Sequence, residues 1–449
     1  MKCRNKKRGV ALFNKEIGAL IGSRVLAVML AIITTFMMMA CQPTVYLMPT
    51  PLAIEAGIAD PFQRNPNEQK QSNKLSVFYA TNRDPKGPNN ARAYKKSFSQ
   101  DIHLGNTVSR IGDEDVDWET LYADSQKKKR SQKYQIHLDQ VYETGEIKAN
   151  ESLDELPTGA KQFVTAINDA LKKTRDKDIT VYVHGANNNF YRSSSQAAQF
   201  RHFTGRNSVV VLFAWPSAEN LLLYSVDKKN AAQTAGVFAR FIEVLGRYTE
   251  AEYVNIIAYS AGASVASPGL VQLRKSHADF SAEAMRSQFR IGHVYLAAPD
   301  IKAKNFLKQL PLYLDITRNV TMTANMQDTV LSMADVHMDE SRLGKPTSEE
   351  FTTEQLQWIK EASYTDDFDI ISITHSYVPG SAGAHDSWYN DPWVSSDVIA
   401  QLISNYPPVQ RGLDKGESLQ GLELWYYPKD YPERLAKIIK EFQAKHNLK

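Results

Sequence analysis

Four runs of this chain, residues 179–183, 208–213, 253–258 and 291–297, are almost wholly apolar and rich in β-branched side chains. A strand with one wet face alternates apolar and polar residues, so runs without that alternation belong in a sheet covered on both faces. Weaker strand patterns lie at 75–80, 134–142, 319–323 and 368–373, and helical periodicity marks 159–173, 193–203, 227–248 and 262–274. Strands alternating with helices predict an α/β fold with a mostly parallel sheet flanked by helices.

A chain of 449 residues, 43% hydrophobic and 23% charged, has the material for such a core. Folding at this length removes roughly 70–75% of the unfolded chain's surface from water, which excludes disordered and fibrous architectures. Lys and Arg number 53 against 50 Asp and Glu, a net charge of +3, and that balance gives no reason to expect nucleic acid as partner. The internal basic run KKKR at 127–130 reads as a solvated loop.

Residues 1–40 stand apart. They hold seven basic side chains and one acid, a net of +6, so the remainder carries −3. This basic head leads into the uncharged run 25–40 and reads as an export signal. A transmembrane helix needs about 20 apolar residues. The run reaches that length only by including Arg24, and a single N-terminal transmembrane anchor is the alternative. Met38-Met39-Ala40-Cys41 resembles a bacterial lipobox, with Met in place of the usual Leu. The resemblance implies lipidation of the Cys41 thiol and cleavage ahead of it. Gln42 behind the cysteine implies sorting to the outer membrane, facing the periplasm. An ordinary signal peptide followed by a chance cysteine is the other reading. Cys3 lies in the part to be removed, so the mature chain has a single thiol and no intrachain disulfide.

Residues 41–74, with prolines at 43, 49, 51, 61 and 66 and a polar stretch at 65–74, predict a flexible tether. An α/β domain then spans 75–405. Residues 406–449 form a C-terminal extension, in which Leu435, Ile438, Ile439 and Phe442 recur at helical spacing behind Pro432 as a docking helix. The acidic insertion at 336–358 is either a small lid or a surface excursion.

The strongest chemical signal is the run VNIIAYSAGA at 254–263. A buried strand ends at Ser260, small residues flank it, and a helix begins behind it. This is the pattern of a nucleophile elbow, in which a sharp strand-to-helix turn projects the hydroxyl and close backbone approach demands small neighbours. Ala258 stands where Gly is commoner. A serine capping a helix in a Rossmann-like protein is the alternative. An earlier apolar strand ends in His184-Gly185-Ala186-Asn187. Gly185 lets the chain turn so that the amide of Ala186 or Asn187 faces a developing alkoxide, and the amide of Ala261 supplies a second donor. His184, at the end of the wrong strand for a base, reads as structural.

In an elbow-bearing fold the triad runs Ser, acid, His along the chain, so acid and base lie beyond Ser260. His277 falls in a surface helix, His293 in a strand, His337 in the insertion and His446 in the tail. His375 and His385 follow the last strand pattern, and the small-residue loop 380–386 makes His385 the better placed. Two acids qualify. Asp328 follows the strand before the histidine loop, and Asp300 follows the strand at 291–297, where it could instead cap a helix starting at Ile301. No H-E-x-x-H, P-loop or Rossmann glycine fingerprint is present, so neither metal nor cofactor is expected.

Taken in order, these residues resemble a family of poorly characterised bacterial α/β-hydrolases that are esterase/lipase-like. The resemblance rests on Val77 to Arg83, His184-Gly185 with Asn187, Phe213 to Ser217, the serine elbow, Leu296 to Asp300, Asn325 to Asp328 and Gly383 to Ser387, covering residues 76–400. Family members usually carry His before the serine and Met after it, where this chain has Tyr259 and Ala261. The resemblance implies the α/β-hydrolase fold and a serine hydrolase acting on carboxylic esters or thioesters, with a small-molecule or lipid substrate. Ser260 would be the nucleophile, His385 the base and Asp328 the acid. Peptidase action is the enzymatic alternative. A non-catalytic α/β-hydrolase domain, acting as a binding module tethered to the membrane, is the alternative from another class.

Overall fold

The apolar runs form the middle of an eleven-stranded sheet. The computed structural model describes residues 44–55, 60–64, 72–325, 343, 352–364, 367–373, 385–417 and 423–445. In chain order the strands are β1 (Lys74–Lys86), β2 (Ala93–Ile111), β3 (Ile136–Ile147), β4 (Ile179–Val183), β5 (Val209–Ala214), β6 (Val254–Tyr259), β7 (Ile291–Ala297), β8 (Thr317–Ala324), β9 (Phe368–Ser372), β10 (Asp414–Glu417) and β11 (Glu423–Tyr426). Across the sheet they lie β10-β11-β9-β8-β7-β6-β4-β5-β1-β2-β3. Every neighbouring pair from β11 to β1 is parallel, while β10 at one edge and β2 and β3 at the other run antiparallel to their neighbours.

Side-chain alternation explains the layering. Ile179, Val181 and Val183 of β4 enter the core on one face, with Phe163 and Ile167 of the helix Thr158–Lys173 and Phe241 and Leu245 of the helix Tyr224–Tyr248. Tyr182, between them, enters the opposite core with Phe200 of the helix Phe190–Phe203 and Val398 of the helix Pro392–Ser404. Each such aliphatic or aromatic side chain contributes about 1.5–3 kcal/mol on burial. The helix starts are specified locally: the Asn189 side chain accepts from the Arg192 amide at 2.7 Å, and Asp391, ahead of Pro392, accepts from Trp393 and Val394. β4 has β5 on one side and β6 on the other, so chain order reverses there. The carboxyl ends of β4 and β6 therefore open on the crevice where such sheets bind ligands.

Three expectations need correction. The described part of the 41–74 segment is not a loose tether. Leu47, Met48, Leu52, Ile54 and Phe62 are buried, and the Leu47 amide donates to the Tyr134 carbonyl at 2.8 Å. A few apolar residues suffice once they share a core with the body, as Leu47, Met48, Leu52 and Ile54 do, which composition alone does not reveal. Secondly, the KKKR run is not solvated throughout. Arg130 donates to the carbonyls of Leu47 and Met48 and to Thr50 Oγ1, because one guanidinium has enough donors to clasp a whole strand of backbone. Thirdly, the C-terminal extension carries β10 and β11 as well as its docking helix, Tyr431–Lys445, which buries Tyr431 and Leu435. A fully buried ion pair between Arg411 and Asp397 at 2.5 Å ties it to the helix Pro392–Ser404. The insertion is described only at Leu343, which is buried, and from residue 352, where the helix Thr353–Tyr364 begins. Cys41, Asp328, His337, His375 and His446 lie outside the described residues.

Candidate active site

Ser260 sits at the carboxyl end of β6, in a short 3-10 turn, Ser260–Gly262, that feeds the helix Ala263–Ser276. Its φ is +52°, a left-handed conformation that costs a non-glycine residue of order 1–3 kcal/mol and is held here by the elements around it. The small neighbours are a steric requirement. A Cβ on Gly262 would meet the Val183 carbonyl oxygen at 2.5 Å, and one on Gly185 would meet Ser260 Cβ at 3.0 Å. The Asp300 amide, on the turn after β7, donates to the Ser260 carbonyl at 3.0 Å and fixes the elbow from the other side.

His385 Nε2 lies 2.8 Å from Ser260 Oγ. A half-buried imidazole is thus within proton-transfer reach of a hydroxyl on a strained turn at the sheet's switch point. Its ring packs against Tyr259, centroids 5.4 Å apart, and Tyr259 in turn meets Trp388 and Tyr389 at 6.0 Å. The other described histidines beyond the serine are elsewhere. His293 is buried in β7, and His277 bonds the Leu273 carbonyl on the helix Ala263–Ser276.

Residues 159–403, which include the elbow, the β4 loop and His385, match the family described as alpha/beta hydrolase of unknown function (DUF900). The chain belongs to this α/β-hydrolase family. No curated protein and no solved structure matches it significantly.

In this α/β-hydrolase the loop after β4 differs from expectation at one residue. The amide of Asn187, which has φ +53°, already donates to Asp227 Oδ2 at 3.0 Å, so it does not face the serine as a second candidate donor. Ala186 remains. Ala261, in the first turn behind the serine, has an amide of the kind a helix start leaves without an intrahelical acceptor. His184 is structural: its ring stacks on Trp215 at 5.1 Å, its nitrogens approach the carbonyls of Gly185 and Trp215, and burial pushes its pKa down to about 3. Both of its ring nitrogens are taken up by backbone carbonyls, which leaves it no place as the base.

Asp300 does not cap the helix behind it, which runs Ala303–Gln309 with Lys302 at the cap position. Its carboxylate accepts from the Tyr224 hydroxyl and lies 3.9 Å from Lys228 Nζ, both on the helix Tyr224–Tyr248. Lys228 also donates to Ser264 Oγ and to the Asp300 carbonyl. Among the described residues no group of three or more His, Cys, Asp and Glu side chains could hold a metal ion.

Sequence reading gave no role to Asp227 or Arg83. Asp227 is 1% exposed and accepts from the amides of Asn187 and Ala218 and from Ser217 Oγ. Burial raises its pKa, opposed by these hydrogen bonds and by the charge of Arg83. An acid in the first turn of a helix looks, in sequence, like an ordinary complement to the helix dipole. No local signal separates the two roles.

Proposed function

We propose that this α/β-hydrolase is a serine hydrolase that cleaves carboxylic esters or thioesters. The observation carrying this reading is the 2.8 Å approach of His385 Nε2 to the hydroxyl of a serine held at φ +52° on a nucleophile elbow. Ser260 Oγ attacks the substrate carbonyl carbon while His385 Nε2 takes its proton. The resulting alkoxide is held by the amides of Ala186 and Ala261. It collapses with cleavage of the bond to the leaving oxygen or sulfur, which receives the proton back from His385. Water then repeats the sequence on the acyl-enzyme. Asp328, which follows β8 in the sequence, is the acid of this proposal, with the role of orienting His385. Each oxyanion donor is worth ~10²–10³ in turnover.

The same proposal places the enzyme in the cell envelope, attached through lipid on Cys41 and acting on small-molecule or lipid esters. The basic head, the short apolar run and the lipobox-like residues before Cys41 support it.

Labelling with a fluorophosphonate probe, paired with turnover of p-nitrophenyl esters of graded acyl length, tests the reading. Stoichiometric labelling at Ser260 and ester turnover are expected. A folded protein that neither labels nor turns over any ester is a binding module instead.

A further inference from the structure

Two sequence motifs distant from the serine converge on the β4 loop. Arg83, at the end of the Val77–Arg83 motif, is wholly buried. Its Nη2 donates to the Asn188 carbonyl at 2.7 Å, its Nε to the Trp215 carbonyl at 3.0 Å, and its Nη1 pairs with Glu219 at 3.0 Å. Trp215 Nε1 donates to the His184 carbonyl at 2.6 Å. Ser217 Oγ accepts from the Asn188 amide and donates to Asp227 Oδ2 at 3.0 Å. Asp227 closes the frame by accepting from the Asn187 amide with that same oxygen and from Ala218 with the other.

We infer that Asp227, with Arg83 behind it, is a positioning residue that holds Asn187 in its left-handed conformation and so turns the Ala186 amide toward the oxygen of the tetrahedral intermediate. The inference rests on the serine-hydrolase reading above. Its physical logic is that a left-handed asparagine must be held in place, and a buried carboxylate does so by accepting the amide on one side of the loop and the 217–218 turn on the other. Arg83 holds the following carbonyl, so residues 187 and 188 are pinned through both an amide and a carbonyl. Asp227 touches neither nucleophile nor base.

Asp227→Asn tests it with little change of volume. A carboxylate accepts on both oxygens, whereas an amide accepts on one and donates on the other, so the variant loses either the Asn187 amide or the Ala218 amide, and either loss breaks the link between the loop and the 217–218 turn. Turnover of p-nitrophenyl acetate should fall ~10²-fold, the scale of one oxyanion donor. KM should change little, and the acid limb of the kcat/KM profile should stay in place. A trifluoromethyl ketone, which becomes a tetrahedral anion on the serine, should lose affinity in proportion to kcat. A general structural defect would move KM and the pH limb as well, and that pattern, or unchanged kcat, overturns the inference. Should Asp227→Asn not fold, Ser217→Ala carries the test, with a loss of about tenfold in kcat at constant KM as for one neutral hydrogen bond. Unchanged kcat in a folded Ser217→Ala overturns it. Amide hydrogen exchange across residues 186–188 reads the loop without turnover and should accelerate in Asp227→Asn. Absent labelling of the wild type sinks the hydrolase reading, and unchanged exchange sinks the positioning role.

Discussion

Ser260 and His385 are 125 residues apart in the chain and 2.8 Å apart at Oγ and Nε2. The contact joins the turn after β6 to the residues just before the helix Pro392–Ser404. The parallel order of β6, β7, β8 and β9 brings these together by directing every strand's carboxyl end to the same side.

Ser260→Ala should abolish ester turnover and probe labelling while leaving the melting temperature nearly unchanged, since one hydroxyl contributes little to the core. His385→Gln should lower turnover by ~10²–10⁴. Labelling that survives in Ser260→Ala would place the nucleophile at another serine, such as Ser264 or Ser194.

The two acids should separate. Asp328→Asn should keep the fold and lower turnover by up to ~10⁴, because an amide favours the wrong imidazole tautomer. Asp300→Asn disturbs an acceptor for Tyr224 and the pairing with Lys228, so its chief effect should be a lower melting temperature. Collapse of activity in a folded Asp300→Asn, with Asp328→Asn active, moves the acid to the turn after β7.

Gly262→Ala should be disproportionately damaging for one methyl group. The added Cβ would stand 2.5 Å from the Val183 carbonyl oxygen and 2.8 Å from that of His184, both backbone atoms of the adjoining strand and loop. A loss of about 1–3 kcal/mol, as for overpacked cores, should appear in urea unfolding together with reduced probe labelling. Wild-type stability and labelling in that variant would contradict the close approach of β4 and the elbow.

His293 should make stability acid-sensitive. Burial pushes its pKa from 6.5 down to about 4, so the unfolded chain binds this proton more readily than the folded one. Stability from this group is complete above the unfolded value and declines as pH falls from 6.5 toward about 4. His184, lowered to about 3, acts in the same direction and extends the decline. Denaturation midpoints measured across this window should fall with acid, and more shallowly in His293→Gln. An identical slope in the variant would show that His293 titrates normally.

Cys41→Ser should leave an uncleaved precursor and abolish incorporation of labelled palmitate. A wild-type chain that takes up no lipid and fractionates away from membranes would remove the anchor from the proposal.

The sequence alone determined the layers and the elbow because both are written in local terms. A strand covered on both faces has no polar positions, so β4, β5, β6 and β7 announce themselves, and small residues around a serine at a strand end announce close backbone approach. Whatever depends on a partner far along the chain was decided by the tertiary structure. β2, at Ala93–Ile111, is rich in polar residues such as His103, Thr107 and Ser109, which are buried only because β1 and β3 flank it. Leu47 and Met48 look sparse until a core receives them. Arg130 looks solvated until a strand of backbone lies beside it. The amide of Asn187 reads as a free donor until Asp227, forty residues on, accepts from it. Burying a polar group is favourable only where a hydrogen-bond partner waits, and that partner's position is a property of the assembled fold.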